Sequence, residues 1–328
     1  MSHGFFADSK EWIADDSGVR ERYLAFFEKQ LGLLHEGPTP ETGFIQKGIL
    51  ERKQVCEDVK LKQTKHGLFV VADGEDWLSS REAVRTMSQH LGEILDQQAK
   101  NVCDHSHPEE TLDRLTRFVA TVLKTSVLIA DHRIHVAWLN AESEISGTTL
   151  SCGRLLSISD TTGDSLHRFF FLNLGNSRIY LCRKNRTFQK LTVDDTNLQQ
   201  WVHEGKLTPE EFFQIDQALS PKHLPRKLFA YATHLNRFRL TRRLGRGEIS
   251  ENAPFVSFVD LQPGERIVMT TNGVSDQLLE SEIQAHLFQH KNDHAAERSL
   301  QQAALERSLD GRHPRAIADD LSALVHTV

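Results

Sequence analysis

The hydrophobic pattern is most distinctive at residues 66–74, where the sequence reads HGLFVVADG. Five consecutive apolar residues, Leu68 to Ala72, predict a short buried strand, and Asp73 is the first polar residue after them. A carboxylate is costly in apolar surroundings unless it meets a cation or hydrogen-bond donors, and Gly74 lets backbone come close to whatever Asp73 holds. For this Asp-Gly pair taken alone, an ordinary hairpin turn is the alternative interpretation.

Apolar residues at helical spacing predict helices at Val19–Leu34, at Ser79–Gln98 and from Pro108 onwards. Beyond Leu123 the periodicity leaves two possibilities open: the helix continues through Trp138, or a strand occupies residues 127–138. Paired prolines and glycines at residues 37–43 predict a linker after the first helix. The aromatic stripe of that first helix fits packing on its own domain, with docking of a partner protein as the alternative.

The second half of the chain reads mainly as strands separated by turn residues. A polar insertion at about residues 197–244 interrupts it, with a helix predicted to open at Thr208-Pro209-Glu210-Glu211, and a last helix is predicted near Ala295–Leu309. Runs of helices and runs of strands without strict alternation predict an α+β fold with mostly antiparallel sheets. The predicted strands are Arg168–Leu174, Arg178–Cys182, Thr187–Leu191, Phe255–Val259, Glu265–Thr271 and Leu321–Val325.

Composition narrows the class of protein. The chain has 328 residues, of which 39% are hydrophobic, and these suffice for a substantial core. Its formal charge of -6 argues against a general nucleic-acid binder. No apolar run reaches membrane-spanning length, and acidic residues stand where a signal peptide would need a basic start, so no membrane partner and a cytoplasmic location are expected. Four scattered cysteines without a CxxC spacing predict reduced, mostly buried thiols. The run Cys103–His107 contains metal-binding residue types, but without a second cluster we interpret it as a solvated loop.

Six polar motifs occur along the chain in a fixed order. Each of them alone would pass as surface acids or turns. They are Glu57-Asp58, Asp73-Gly74, Gly147-Thr148-Thr149, Gly175-Asn176-Ser177-Arg178, Asn272-Gly273-Val274-Ser275-Asp276 and Asp319-Asp320-Leu321-Ser322.

This order resembles the metal-dependent type 2C serine/threonine phosphatases, especially their bacterial members. The family carries N-E-D, V-x-D-G, G-T-T, G-D-S-R-x-Y-L, T-D-G-L-x-D and D-N-x-T at similar separations, and the resemblance runs from about Gly48 to Val325. It implies a four-layer αββα sandwich, in which two antiparallel sheets are flanked by helices. It also implies two domain-level parts, an N-terminal helix and linker at residues 1–45 and a phosphatase-like domain at residues 46–328.

The resemblance further implies a metal-activated water and two Mn²⁺ or Mg²⁺ ions held by oxygen ligands. Carried over by position, Asp73 bridges both ions, the carbonyl of Gly74 binds one of them, and Asn272 and Asp319 flank the other. Glu57 and Asp58 hold metal-bound waters. A basic residue before the acidic pair binds the substrate phosphate in the family, and here either Arg52 or Lys53 fits that role. The implied partner is a phosphorylated protein.

Two departures from the family fall at metal-associated positions. Asn272 stands where the family has Asp in T-D-G, and Asn176 stands where it has Asp in G-D-S-R. The two positions meet around an additional, weaker metal in the family, so this chain is expected to lack that ion and to hold one of the main pair more weakly. The glycine pair that usually follows Asp-Gly is replaced by Glu75-Asp76-Trp77, in which Asp76 is a substitute ligand to be tested.

The sequence therefore leaves two functions open. One is an active protein phosphatase; the other is a catalytically degenerate member of the same fold, which binds a phosphoprotein or regulator without turnover. The basic segment at residues 236–246 adds a third, more distant reading, a single-stranded nucleic-acid surface, although no nucleic-acid motif supports it. Steering of a phosphopeptide and a plain solvated edge are the other interpretations of that segment.

Overall fold

The computed structural model describes residues 41–42, 56–95, 108–141, 146–159, 165–247, 249, 255–310, 312–317 and 319–328. Several predicted features lie outside these residues. They are the N-terminal helix and its proposed docking role, most of the linker, the loop Cys103–His107 and both candidate phosphate ligands, Arg52 and Lys53. Among the described residues, no helix is long and apolar enough to cross a membrane.

Within the described residues, one sheet has six strands, each antiparallel to its neighbours. Its centre is the predicted apolar strand, in which Leu68 to Ala72 are fully buried. In spatial order the strands are β1 (Glu41–Thr42), β2 (Asp58–Gln63), β3 (Leu68–Asp73), β4 (Leu150–Ser159), β5 (Ser165–Leu174) and β8 (Val256–Leu261).

The second sheet has four antiparallel strands in the part of the chain that the structure describes. Strand β6 is buried along its whole length, which explains its unbroken run of apolar residues after Arg178. In spatial order the strands are β10 (Ala323–Thr327), β9 (Arg266–Thr270), β6 (Arg178–Cys182) and β7 (Phe188–Lys190).

The two sheets pack face to face, and helices cover both outer faces. Phe69, Phe169 and Phe171 of the first sheet share one buried cluster with Ile179 and Met269 of the second. Helices α1 (Trp77–Gln89) and α2 (Pro108–Ala141) pack against the first sheet, while α7 (Glu280–Gln289) and α8 (Asp293–Leu309) cover the second. The predicted α+β class and the four-layer αββα sandwich are confirmed.

Local sequence explains where the helices begin. Asp76 caps α1 by accepting a hydrogen bond from the Ser79 backbone N–H at 3.0 Å, and α1 continues into a π-helical segment, His90–Ile94. The open question after Leu123 is resolved in favour of a helix, because α2 runs without a break to Ala141.

The polar insertion folds around a small core of its own. It contains α3 (Asn197–His203), α4 (Pro209–Asp216) and α5 (Arg226–Ala232), of which only α4 was predicted. As expected from the sequence, Thr208 and Glu211 form a capping box at its start. Leu198, Phe212 and Leu228 bury their side chains together, so the three helices form a distinct flap beside the sandwich.

Candidate metal centre

The hairpin of β2 and β3 brings two of the predicted acids together. Asp58 begins β2 and Asp73 ends β3, and the two are directly paired across the strands. Paired residues on neighbouring strands point to the same face, with Cβ atoms about 4.5–5.5 Å apart. The hairpin therefore presents both carboxylates on one side of the sheet edge.

The end of β9 joins this edge through Thr271. Its hydroxyl donates a hydrogen bond of 2.7 Å to Asp58 Oδ2, and the Thr271 hydroxyl oxygen accepts one of 3.1 Å from the Ser322 backbone N–H. The Thr271 backbone N–H donates to the Ser322 carbonyl at 3.1 Å. These bonds fix the short helix α6 (Asn272–Ser275) and the segment leading into β10 beside the hairpin.

Two further acids, Asp319 and Asp320, lie on the segment that leads into β10. Asn272 donates from Nδ2 to Asp319 Oδ2 at 3.1 Å, and the Asp320 backbone N–H donates to Asp319 Oδ1 at 2.9 Å. Asp320 in turn accepts a hydrogen bond of 2.8 Å from the Glu57 backbone N–H. The structure thus brings Glu57, Asp58, Asp73, Asn272 and Asp319, which are far apart in sequence, to one edge of the sandwich.

The Gly-Thr-Thr motif positions Asp73 from the other side. The Asp73 carbonyl accepts hydrogen bonds from the Thr149 backbone N–H at 2.8 Å and from the Thr148 hydroxyl at 3.0 Å. The Thr149 hydroxyl accepts one of 3.1 Å from the Asp73 N–H, and Gly74 forms a β-bridge with Thr148. The motif therefore fixes the backbone from which the Asp73 side chain and the Gly74 carbonyl project.

Burial and mutual repulsion of the acidic side chains disfavour the ionised form of Asp58. Asp58 is fully buried, and burial together with the nearby charge of Asp319 raises its pKa to about 8. A divalent cation placed among these carboxylates would reverse this effect by stabilising their ionised forms. Carboxylate and amide oxygens are also the ligands that Mg²⁺ and Mn²⁺ prefer.

Two oxygen atoms offer a direct test of whether this cluster fits a cation. Asp58 Oδ1 and Asn272 Oδ1 are both buried without a hydrogen-bond partner among the described residues. Buried polar atoms usually have a partner, so a cation or its water shell would complete this site. Within the described part of the chain, no three His, Cys, Asp or Glu side chains already match a metal-binding cluster. The donor set fits oxygen-ligated ions, with an amide in place of one carboxylate.

The second departure, Asn176, lies in a different setting. It is buried and lines a small pocket with Arg178, Asp216 and Asp276. Arg178 forms ion pairs with both Asp194 and Asp216 through Nη2, each at 2.6 Å. Burial raises the pKa of Asp276 to about 7. Asn176 thus removes a negative charge from a pocket that still contains Asp276, the last residue of the Asn272 motif.

Asp76 is engaged as a helix cap. It accepts hydrogen bonds from the Ser79 backbone N–H at 3.0 Å and from the Ser79 hydroxyl at 2.7 Å. The role of a substitute metal ligand stays a prediction that competes with this capping role.

Sequence reasoning missed the supporting roles of Thr271 and Asp320. Thr271 stands next to Asn272, and Asp320 belongs to the Asp319 motif without an assigned role there, so their position was the available signal. Their partners, Asp58 and Glu57, are more than 200 residues away, and no local pattern indicates such contacts.

Comparisons with known proteins find similarity in structure. No protein-family profile matches the sequence, and no curated protein is significantly similar to it. The serine/threonine phosphatase PstP/Ppp of Mycobacterium tuberculosis superimposes with a TM-score of 0.58 at 19% identity, over 88% of this chain and 96% of that one. The present chain has the type 2C phosphatase fold.

Other solved structures with the type 2C phosphatase fold agree. Stp1 of Staphylococcus aureus gives a TM-score of 0.58 at 18% identity, over 90% of this chain and 99% of that one. The catalytic domain of PstP, in a complex with two manganese ions, gives 0.55 at 18% identity, over 87% of this chain and 94% of that one. Such identities establish the fold alone.

Proposed function

We propose that the chain is a metal-dependent phosphoserine/phosphothreonine protein phosphatase. The observation that carries the proposal is the meeting of Asp58, Asp73, Asn272 and Asp319 at one sheet edge, with two buried oxygens left unpaired among the described residues. The type 2C fold and the manganese pair in one structural neighbour support the same chemistry.

Each residue has a defined task in this proposal. Asp73 and the Gly74 carbonyl would hold the two metal ions from the hairpin side. Asn272 and Asp319 would hold them from the opposite loop. What Mn²⁺ or Mg²⁺ supplies when bound is a more acidic water and charge stabilisation of the phosphoryl group. Glu57 and Asp58 would orient water by hydrogen bonding.

Substrate binding completes the proposal. Arg52 or Lys53, which lie outside the described residues, would bind the phosphate, and the partner would be a phosphorylated protein. A guanidinium or ammonium group beside a metal pair would complement the charge of a phosphate dianion.

Asn272 makes the degenerate alternative a specific second candidate. At about 4 Å and an effective dielectric constant near 20, a unit charge pair is worth about 4 kcal/mol. An amide in place of a carboxylate would then lower the binding affinity for one metal ion by about a thousandfold, since 1.4 kcal/mol corresponds to about a tenfold change in affinity. The active protein would need a high concentration of Mn²⁺, and the degenerate protein would bind phosphoproteins without turnover.

Hydrolysis of a phosphothreonine peptide in millimolar Mn²⁺ separates the two candidates. We expect the parent chain to show metal-dependent turnover, which Asp73→Ala abolishes and Asn272→Asp raises at low Mn²⁺. Asn185→Asp, which adds the same charge on an exposed turn, is the matched control and should change nothing. Absence of turnover in the parent with recovery in Asn272→Asp would establish the degenerate alternative.

A further inference from the structure

The segment that follows the flap is hydrogen-bonded to residues next to the candidate metal centre. Leu244 and Thr148 exchange two backbone hydrogen bonds, of 2.9 and 3.2 Å, and the Gly245 N–H donates to Asp131 Oδ1 of helix α2 at 2.6 Å. Thr148 is also the residue that bridges to Gly74. The backbone of Arg243 is therefore held beside the loop that follows Asp73.

The Arg243 side chain lies over Gly147. A Cβ atom on Gly147 would come within 2.6 Å of the Leu244 carbonyl oxygen, 2.9 Å of Arg243 Cδ and 3.0 Å of Arg243 Nε, so the close approach of this segment requires glycine. Arg243 Nη1 forms an ion pair with Glu75 Oε1, and Glu75 Oε2 accepts a hydrogen bond of 3.2 Å from the Gly147 N–H. Glu75 directly follows Gly74, so this ion pair borders the candidate metal centre.

Exposure differs between the two partners. The Arg243 side chain is 14% exposed, whereas the Glu75 side chain is 49% exposed. A half-exposed carboxylate can leave an ion pair at little cost, because water replaces the contact. The Arg243 side chain, in contrast, is largely buried, with its Cδ and Nε over Gly147.

Arg246 adds a second positive charge near Arg243. Burial and the like charge of Arg246 lower the pKa of Arg243. Arg246 is exposed, and no carboxylate of the described residues forms an ion pair with it. Glu75 is thus the carboxylate that pairs with Arg243, and when Glu75 turns to solvent the Arg243 guanidinium can accept another carboxylate.

We propose that Arg243 is a specificity-determining residue that binds a carboxylate side chain next to the phosphorylated residue of the substrate. In the free protein, Glu75 occupies the place of that carboxylate. The inference rests on the proposed function for the position of the phosphorylated residue, and it does not require turnover. The chemistry is the fork-like pairing of a guanidinium with a carboxylate, for which Glu75 is the internal example.

Peptide binding tests this inference without hydrolysis. Fluorescence anisotropy would compare two peptides that carry a non-hydrolysable phosphonate analogue of phosphothreonine, one flanked by Asp and one by Ala. We expect the parent to prefer the acidic peptide by about fivefold, the range of one accessible ion pair. Arg243→Gln should remove the preference, and Glu75→Gln should increase it, since the competing carboxylate is gone.

Matched controls remove one positive and one negative charge on the flap, away from the Arg243–Glu75 ion pair. Arg226→Gln and Glu210→Gln change exposed residues and should leave the preference of the parent intact. Arg243→Lys should give an intermediate preference, because it keeps the charge and loses the planar fork. Melting temperatures of all variants establish that they are folded.

The direction of change decides between selection and simple structural support. If the ion pair only tethers the flap to the loop, Arg243→Gln and Glu75→Gln will change the preference in the same direction, and the inference is wrong. Equal binding of both peptides by the parent, or no binding of either, also overturns it. Selective binding without any hydrolysis would remove the proposed catalysis and leave this inference standing.

Discussion

Replacement of Gly273 by alanine tests how the candidate metal centre is assembled. A Cβ atom on Gly273 would lie 1.8 Å from the Asp320 carbonyl oxygen and 3.2 Å from Leu321 Cδ2. Since real Cβ atoms essentially never approach other atoms within 3.0 Å, the two segments would have to separate by about 1.2 Å. Backbone on both sides of the contact leaves no flexible side chain to absorb this shift.

The shift would break bonds that join α6 to the Asp319 segment. The Asn272–Asp319 hydrogen bond, already 3.1 Å long, and the two bonds between Thr271 and Ser322 span this interface. Overpacking costs about 1–3 kcal/mol, and each lost hydrogen bond costs about 1 kcal/mol. We expect Gly273→Ala to lower the free energy of unfolding by about 3 kcal/mol, measured by urea denaturation, and to weaken Mn²⁺ binding in calorimetry.

Gly92→Ala is the matched control. Its Cβ would meet only Gln63 Oε1 at 3.5 Å and His66 at 4.0 Å, which are ordinary contacts. Because Gly92 lies in a helical segment, alanine should be neutral or stabilising by about 0.5–1 kcal/mol. If the free energy of unfolding of Gly273→Ala lies within about 0.5 kcal/mol of that of the parent, and the variant binds Mn²⁺ equally well, the close approach of α6 to Asp320 is refuted.

Two further predictions concern buried charge. Arg178→Met leaves Asp194 and Asp216 buried without their shared cation and should destabilise the protein by about 3–5 kcal/mol in urea denaturation. Lys206→Gln, which removes one partner of an exposed ion pair, should leave the urea midpoint unchanged. An equal response of the two variants would contradict the buried ion-pair network. Burial lowers the pKa of His90 to about 4 from an ordinary value of 6.5. Because His90 takes up a proton first in the unfolded chain, its contribution to stability should be fully present above pH 6.5 and should fall by about 2–3 kcal/mol as the pH drops towards 4. His90→Gln should flatten this part of the stability–pH curve, and an unchanged slope would show that His90 is not the group responsible.

Local pattern predicted the elements that local forces determine. The apolar run ending at Asp73 identified β3 because a strand buried on both faces needs no alternation, and Thr208-Pro209 identified α4 because its cap is encoded within four residues. The short helix α3 went unpredicted, since its stability depends on packing of Leu198 against the other flap helices. Periodicity also left the end of α2 open for the same reason.

The candidate site was predictable as a set of motifs and not as a geometry. Register across the β2–β3 hairpin pairs Asp58 with Asp73, and the turn that sets this register is short enough for sequence to suggest it. The contact of Thr271 with Asp58 and that of Asp320 with Glu57 depend on the packing of the two sheets. Such contacts have no sequence signature, because loop closure over 200 residues is decided by the whole core.

Mn²⁺ titration by isothermal calorimetry, without substrate, tests the central claim that these acids together hold divalent ions. The parent chain should bind Mn²⁺, and Asp73→Asn and Asp319→Asn should each weaken binding by at least about tenfold, while Asp260→Asn at an exposed ion pair should not. Asn272→Asp should tighten one of the sites. Mn²⁺ affinity that is the same in the parent, Asp73→Asn and Asp319→Asn would contradict the claim.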